Sequence, residues 1–198
     1  SAARGDHAAA VAWIQRRLES LPAGADADRI ATVARLADAH ISAGSADSAR
    51  AALESGLRAH PGSEALADPL RALYRAAGAW ESLVDLLTRD GDETKRVAHL
   101  REAADILRNK LGSRERAIPI LEALTALAPN DRASRLILAD ALRSTGALDA
   151  ARTILDRLLE EYGRRKPPER AEVHTQLALI ASARNDDAET RRQLETAI

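Results

Sequence analysis

Gly44, Gly78, Gly112 and Gly146 stand 34 residues apart, one after another, in a chain of 198 residues. A fixed period of roughly 20 to 50 residues describes a stack of like supersecondary units, each too small to bury its own apolar face. Each glycine lies between two stretches of helical apolar spacing, where one helix would stop and the next begin. The stretch after Gly146 sets Leu148, Ala151, Leu155, Leu158 and Leu159 on a single stripe at helical intervals. Before the third turn's exit at Pro129, Ala117, Leu121 and Leu124 repeat the pattern, with Ser113 as candidate N-cap.

Composition agrees with packed helices. Apolar residues make up 45% of the chain and charged residues 30%, well outside the range of disordered segments. With two Trp, two Tyr and no Phe, the core must come from Ala and Leu, which favours close-packed helices over sheets. A net charge of −1 creates no field for nucleic acid, and the few aromatics make a poor platform for stacking bases. No Cys is present, so thiolate chemistry and Cys-ligated zinc are excluded. His7, His40, His60, His99 and His174 fall in separate units without metal-ligand spacing, and no glycine pattern cradles phosphate. His40 is expected to be packed or at an edge. Pairs such as Glu160–Glu161 and Asp186–Asp187 read as solvated surface, since a catalytic pair needs a desolvated pocket. These observations predict no enzyme, cofactor or metal. No apolar run approaches a bilayer span, and a cytoplasmic location is expected, with the periplasm also compatible. Because the chain begins at Ser and contains no Met, it is expected to be a fragment or processed form.

The glycine-centred units carry a family resemblance. Residues 30–63 supply Leu36, Ala37, Gly44, Ala49, Leu53 and Pro61; residues 64–97 supply Leu70, Tyr74, Gly78, Trp80 and Leu87. Residues 98–131 supply Gly112, Ala117, Leu121 and Pro129, and residues 132–165 supply Leu138, Ala139, Leu142, Gly146, Ala151 and Leu155. This grammar resembles the tetratricopeptide repeat (TPR) family, in particular a segment of a long bacterial array. Extended outward with a five-residue slip at each end, it adds a lone helix B at 5–22, with Gly5, Ala10 and Ile14, and a final pair at 171–198 with Asn185 at the glycine position. The resemblance implies an all-α, right-handed superhelical solenoid of antiparallel helix pairs, about eleven helices in one domain. Departures stand out at Arg71 and Leu83, where small residues belong, and at Ala104 and Asp105. Pro69 and Pro119 fall inside expected helices and predict bends or a late start, with Asp68 capping a helix that begins at Pro69.

By resemblance, the first helix of each pair lines a concave groove that takes a partner peptide or amphipathic helix. The groove positions are Asp38 and Ile41, Arg75, then Glu102, Ile106 and Asn109, then Leu136, Asp140 and Arg143, and finally Thr175 and Leu179. Ile106, Leu136 and Leu179 would form its apolar part or fill gaps between helices. Ala34 and Asp38 stand where carboxylate-clamping TPR domains carry Lys and Asn, which argues against that subtype. A basic connection holding Arg164, Arg165, Lys166 and Arg170 reads as a solvated turn or a contact for an acidic partner. Trp80 is expected in the core, and Trp13 against the first full hairpin or a preceding repeat. The implied function is a non-enzymatic protein-binding scaffold, probed against two rivals: a sensor module of a signalling or transcription protein, and a periplasmic scaffold for envelope or polysaccharide export. Neither end shows a polar capping helix, so self-association through the ends is also expected.

Overall fold

A computed structural model describes residues 2–89, 93–163 and 167–197, with side chains described from residue 7 onward. These residues form eleven α-helices and no strand: α1 (Ala2–Ser20), α2 (Asp26–Ser42), α3 (Ala46–Ala59), α4 (Glu64–Ala77), α5 (Trp80–Thr88), α6 (Glu93–Asn109), α7 (Arg114–Leu127), α8 (Arg132–Ser144), α9 (Leu148–Tyr162), α10 (Pro168–Ala183) and α11 (Asp187–Ala197). The helix number matches the repeat grammar. Two compact units result, Ser1–Arg96 and Val97–Ile198.

The comb glycines act through their backbones. Gly44, Gly78, Gly112 and Gly146 have φ of 73°, 65°, 64° and 88°, and Asn185 adopts 59° at the fifth turn. In this left-handed region glycine escapes the Cβ penalty, and asparagine is among the few side chains that tolerate it. The residue after the turn then donates its N–H to a carbonyl five residues back: Ser45 to His40, Ala79 to Tyr74, Ala147 to Leu142 and Asp186 to Ala181. At Gly112 the bond reaches one residue further, from Ser113 to Leu107 at 2.7 Å. Ser113 stands at the N-cap position of α7, but its side chain does not cap; Oγ donates to the Leu111 carbonyl instead.

In the first unit α2 packs on α1, α3 and α4, and α4 packs on α3 and α5. Val33, Leu36, Leu53, Leu66, Leu70, Leu83 and Leu87 fill the interior, each at most 6% exposed. Gly56 permits the closest approach, because a Cβ there would stand 2.8 Å from Val33 Cγ1 and 3.0 Å from Leu66 Cδ1. Two expectations are corrected here. Helix α4 begins at Glu64, after Ser63, and runs through Pro69; Asp68 is not its cap. Leu66 and Ala67 before the proline and Leu70 and Tyr74 after it are all buried, so packing on both sides holds the helix together across the missing bond. Helix α1 runs from Ala2 straight through Gly5, which therefore lies within a helix and makes no turn. Trp13 on α1 is 59% exposed, which does not fit packing against the first full hairpin and leaves the alternative of a preceding repeat untouched, and Trp80 is half-buried.

Arg71, which breaks the small-residue rule, is only 4% exposed. Its burial is made tolerable by Glu64 and Asp68: Nη1 donates to Glu64 Oε2 at 3.0 Å and Asp68 Oδ1 at 2.6 Å, and Nη2 to Glu64 Oε1 at 3.1 Å. Lys95 Nζ closes the cluster on Asp68 at 2.8 Å. The Arg71 bond holds the Glu64 carboxyl below its ordinary value, and the Lys95 bond does the same for Asp68.

In the second unit α7, α8, α9, α10 and α11 pack in succession, with α8 also touching α10. Leu121, Leu124, Leu155, Leu158, Val173 and Ile180 are essentially inaccessible. Pro119 sits inside α7 without ending it, bracketed by buried Ala117 and Leu121. The most complete cap belongs to α8, where Asp131 accepts from the Ser134 N–H at 3.2 Å, the Ser134 hydroxyl at 2.6 Å and Arg101 Nη2 at 2.7 Å. The Ser134 bond, helped by Arg101, lowers the Asp131 carboxyl to about 2.

Candidate functional site

The expected groove residues divide into those that offer surface and those that do not. In the first unit Asp38, Ile41 and Arg75 on α2 and α4 are exposed. In the second, Asn109 is exposed on α6 and its amide donates to Asp105 Oδ1, while Glu102 is half-buried. Ile106 is 4% exposed and belongs to the core, so it presents almost nothing to a partner. Leu136 on α8 is half-buried, Thr175 on α10 likewise, and Leu179 one turn further on is 43% exposed.

Asp140 and Arg143 are brought together with residues that sequence reasoning missed. Arg143 Nη2 donates to Asp140 Oδ1 at 2.7 Å while its Nε donates to Gln176 Oε1 at 2.8 Å, tying α8 to α10. Gln176 is buried, and its amide nitrogen donates onward to Glu172 Oε1 at 3.0 Å. The chain Asp140, Arg143, Gln176, Glu172 thus fixes polar groups on α8 and α10, with Gln176 one helical turn before Leu179. A signal existed in the i, i+4 spacing of Glu172 and Gln176 on α10, but an identical spacing occurs on many solvated helix faces.

Of the basic connection, Arg164, Arg165 and Lys166 lie outside the described residues. Arg170 is half-buried on the first turn of α10, where Nη1 donates to the Gly163 carbonyl at 3.2 Å. His40 is half-buried, consistent with an edge position, and His174 is buried with Nδ1 2.7 Å from Gln193 Oε1. Among the described residues no group of three or more His, Cys, Asp or Glu side chains converges as a metal site, and no helix is long and apolar enough to cross a membrane.

Residues 110–177, from the turn before α7 to the middle of α10, match the family described as tetratricopeptide repeat. This chain has the tetratricopeptide-repeat fold. No curated protein matches the sequence at significance. Solved structures share the TPR fold along most of its length. YrrB, described as a TPR protein with an unusual peptide-binding site, superposes with a TM-score of 0.57 at 16% identity, over 84% of each chain. MamA from Desulfovibrio magneticus RS-1 gives 0.52 at 16% identity, over 86% of this chain and 93% of its own. TPR-like kinesin light chain repeats of Podosopora anserina give 0.52 at 22% identity, over 85% and 93%. At such identities the likeness is one of fold.

Proposed function

We propose that this TPR chain is a non-enzymatic scaffold that recruits a protein by seating a peptide or amphipathic helix on the first-helix face of its second unit. The observation that carries the reading is Leu179, an aliphatic side chain 43% exposed one helical turn from Gln176, which is already locked to Arg143. An exposed apolar anchor flanked by preoriented donors and acceptors loses little entropy on binding, which is what an interface centre requires. Half-buried Leu136 and Thr175 lie on the same helices and extend that surface. The fold supports the same reading, since stacked helix pairs expose long faces for partners and the likeness to a peptide-binding TPR protein is of this kind.

Site-specific photo-crosslinking tests it. A benzophenone side chain at Leu179, introduced in the cells that make the protein, is expected to form a discrete adduct with another protein. The same group at Asp156, on the exposed side of α9, is expected to form none. Adducts from Asp156 alone would move binding to the second helices, and adducts from neither position would sink the scaffold reading for this unit.

A further inference from the structure

Between the start of α8, the end of α9 and the start of α10 lies a cavity of about 880 Å³. Its walls are largely apolar, built from Ala133, Leu136, Ile137, Pro167 and the ring of Tyr162. That volume and lining suit a small organic group or one large side chain, with orientation left to a few polar atoms.

Those polar atoms are set out unequally. Glu161 accepts from both terminal nitrogens of Arg135 at 2.6 Å and also from Arg132 Nε at 3.3 Å, so two guanidiniums share one carboxylate. The Arg135 bonds and the Arg132 bond hold the Glu161 carboxyl down at about 2 and keep it charged. Arg132 is steadied further by the Tyr162 ring, whose centroid is 5.2 Å from its Cζ, yet among the described residues its two terminal nitrogens have no acceptor. Tyr162 is 8% exposed, and its hydroxyl, a donor at neutral pH, has no hydrogen-bond partner among the described residues either. Exposed Glu169, on the first turn of α10, also lines the cavity; after burial, its charge is the next cause that raises the Tyr162 phenol, and it has no ion pair among the described residues. Arg132 and Tyr162 therefore present uncommitted donors at the cavity, while Glu169 close to the Tyr162 phenol opposes an anion there.

We infer that this cavity is a binding pocket for an apolar group bearing a carboxylate, as in a partner segment where a large apolar side chain neighbours Asp or Glu, with the carboxylate on Arg132 and Tyr162. The guanidinium fork matches a carboxylate in two parallel bonds, and the apolar walls take the rest. The inference rests on the scaffold reading for its biological setting, but a small-molecule probe tests it independently of any partner, so either can fail alone.

The probes are 4-phenylbutyrate, 4-phenylbutan-1-ol and 4-phenylbutylamine, followed by methyl NMR of Leu136 and Ile137 in the whole chain. Phenylbutyrate is expected to bind roughly tenfold more tightly than the alcohol, in line with a charge-assisted bond, and the amine most weakly. Arg132→Gln should abolish the acid's advantage over the alcohol. Tyr162→Phe should reduce it, and Glu169→Gln should strengthen acid binding about twofold by removing a repulsive but solvent-screened charge. Glu161 keeps its bidentate Arg135 in the Arg132 variant, so folding is retained. Opposite signs from Arg132 and Glu169 are what a merely structural role would not produce. The inference is overturned if the amine matches the acid, if no probe moves Leu136 and Ile137, or if their signals depend on protein concentration without probe, which would mean a second copy fills the pocket.

Discussion

Gly56 lies outside the glycine comb, yet its missing side chain matters more to packing than any turn glycine. With Val33 and Leu66 already within 3.0 Å of where a Cβ would be, Gly56→Ala must push two buried side chains apart. The overpacking cost exceeds the gain in helix propensity, and we expect a net loss of about 1 kcal/mol, read as a lower urea midpoint at unchanged m. A gain in stability would show that the α2–α3–α4 contact yields easily. Nothing in periodicity points to Gly56, because helical spacing reports which way a residue faces and not how near the neighbour comes. Arg71 teaches the converse lesson. Sequence marks it as a misfit at a small position, and only with Glu64, Asp68 and Lys95 around it does its burial make chemical sense.

Helices here survive local sequence that argues against them. Pro119 is the sixth residue of α7 and is itself exposed, so its ring contributes little packing while removing a backbone bond. The helix persists because Ala117, Leu121 and Leu124 anchor it from both sides of the break. Pro119→Ala restores the bond and is expected to stabilise the protein by about 1 kcal/mol or more, below the roughly 3 kcal/mol of a deep interior proline since exposed Glu115, whose carbonyl is freed, reaches water. Denaturant midpoints of the two proteins decide it, and an unchanged midpoint would mean that α7 has already relaxed around the proline. Sequence located both prolines within their elements, but the late start it offered for Pro69 fails, because propensity is local and the burial of Leu66 and Ala67 ahead of it is not. At the turns local chemistry sufficed, since a left-handed backbone needs only glycine, or asparagine at 185, and no distant contact.

Across the molecule, stability is tied to carboxylates held below their ordinary range: Glu64 and Asp68 in the first unit, Asp131 and Glu161 in the second. A folded value below the unfolded one means that the unfolded chain binds more protons as acid is added, so this stability is whole above the unfolded values and is lost on the way down. The urea midpoint should fall as pH drops from about 5 to about 2. Asp131→Ala should cost about 1–2 kcal/mol at pH 7, through lost capping and ion pairing, and should flatten the acid limb. A variant as acid-sensitive as the parent would place the linkage elsewhere. The 34-residue period, the eleven helices and the placing of the turns at the glycines and Asn185 were all readable from the chain, because each depends on local backbone chemistry and on apolar spacing within some twenty residues. Binding surface was not readable in the same way. Ile106, Asp140 and Leu179 occupy one position of the repeat frame, yet Ile106 is buried, Asp140 is bound to Arg143, and Leu179 stands in solvent. The pocket under Tyr162 is equally invisible to the frame. Whether a helix face is covered, paired or open depends on what lies opposite it, and that is a property of the packed structure that no spacing along one helix encodes.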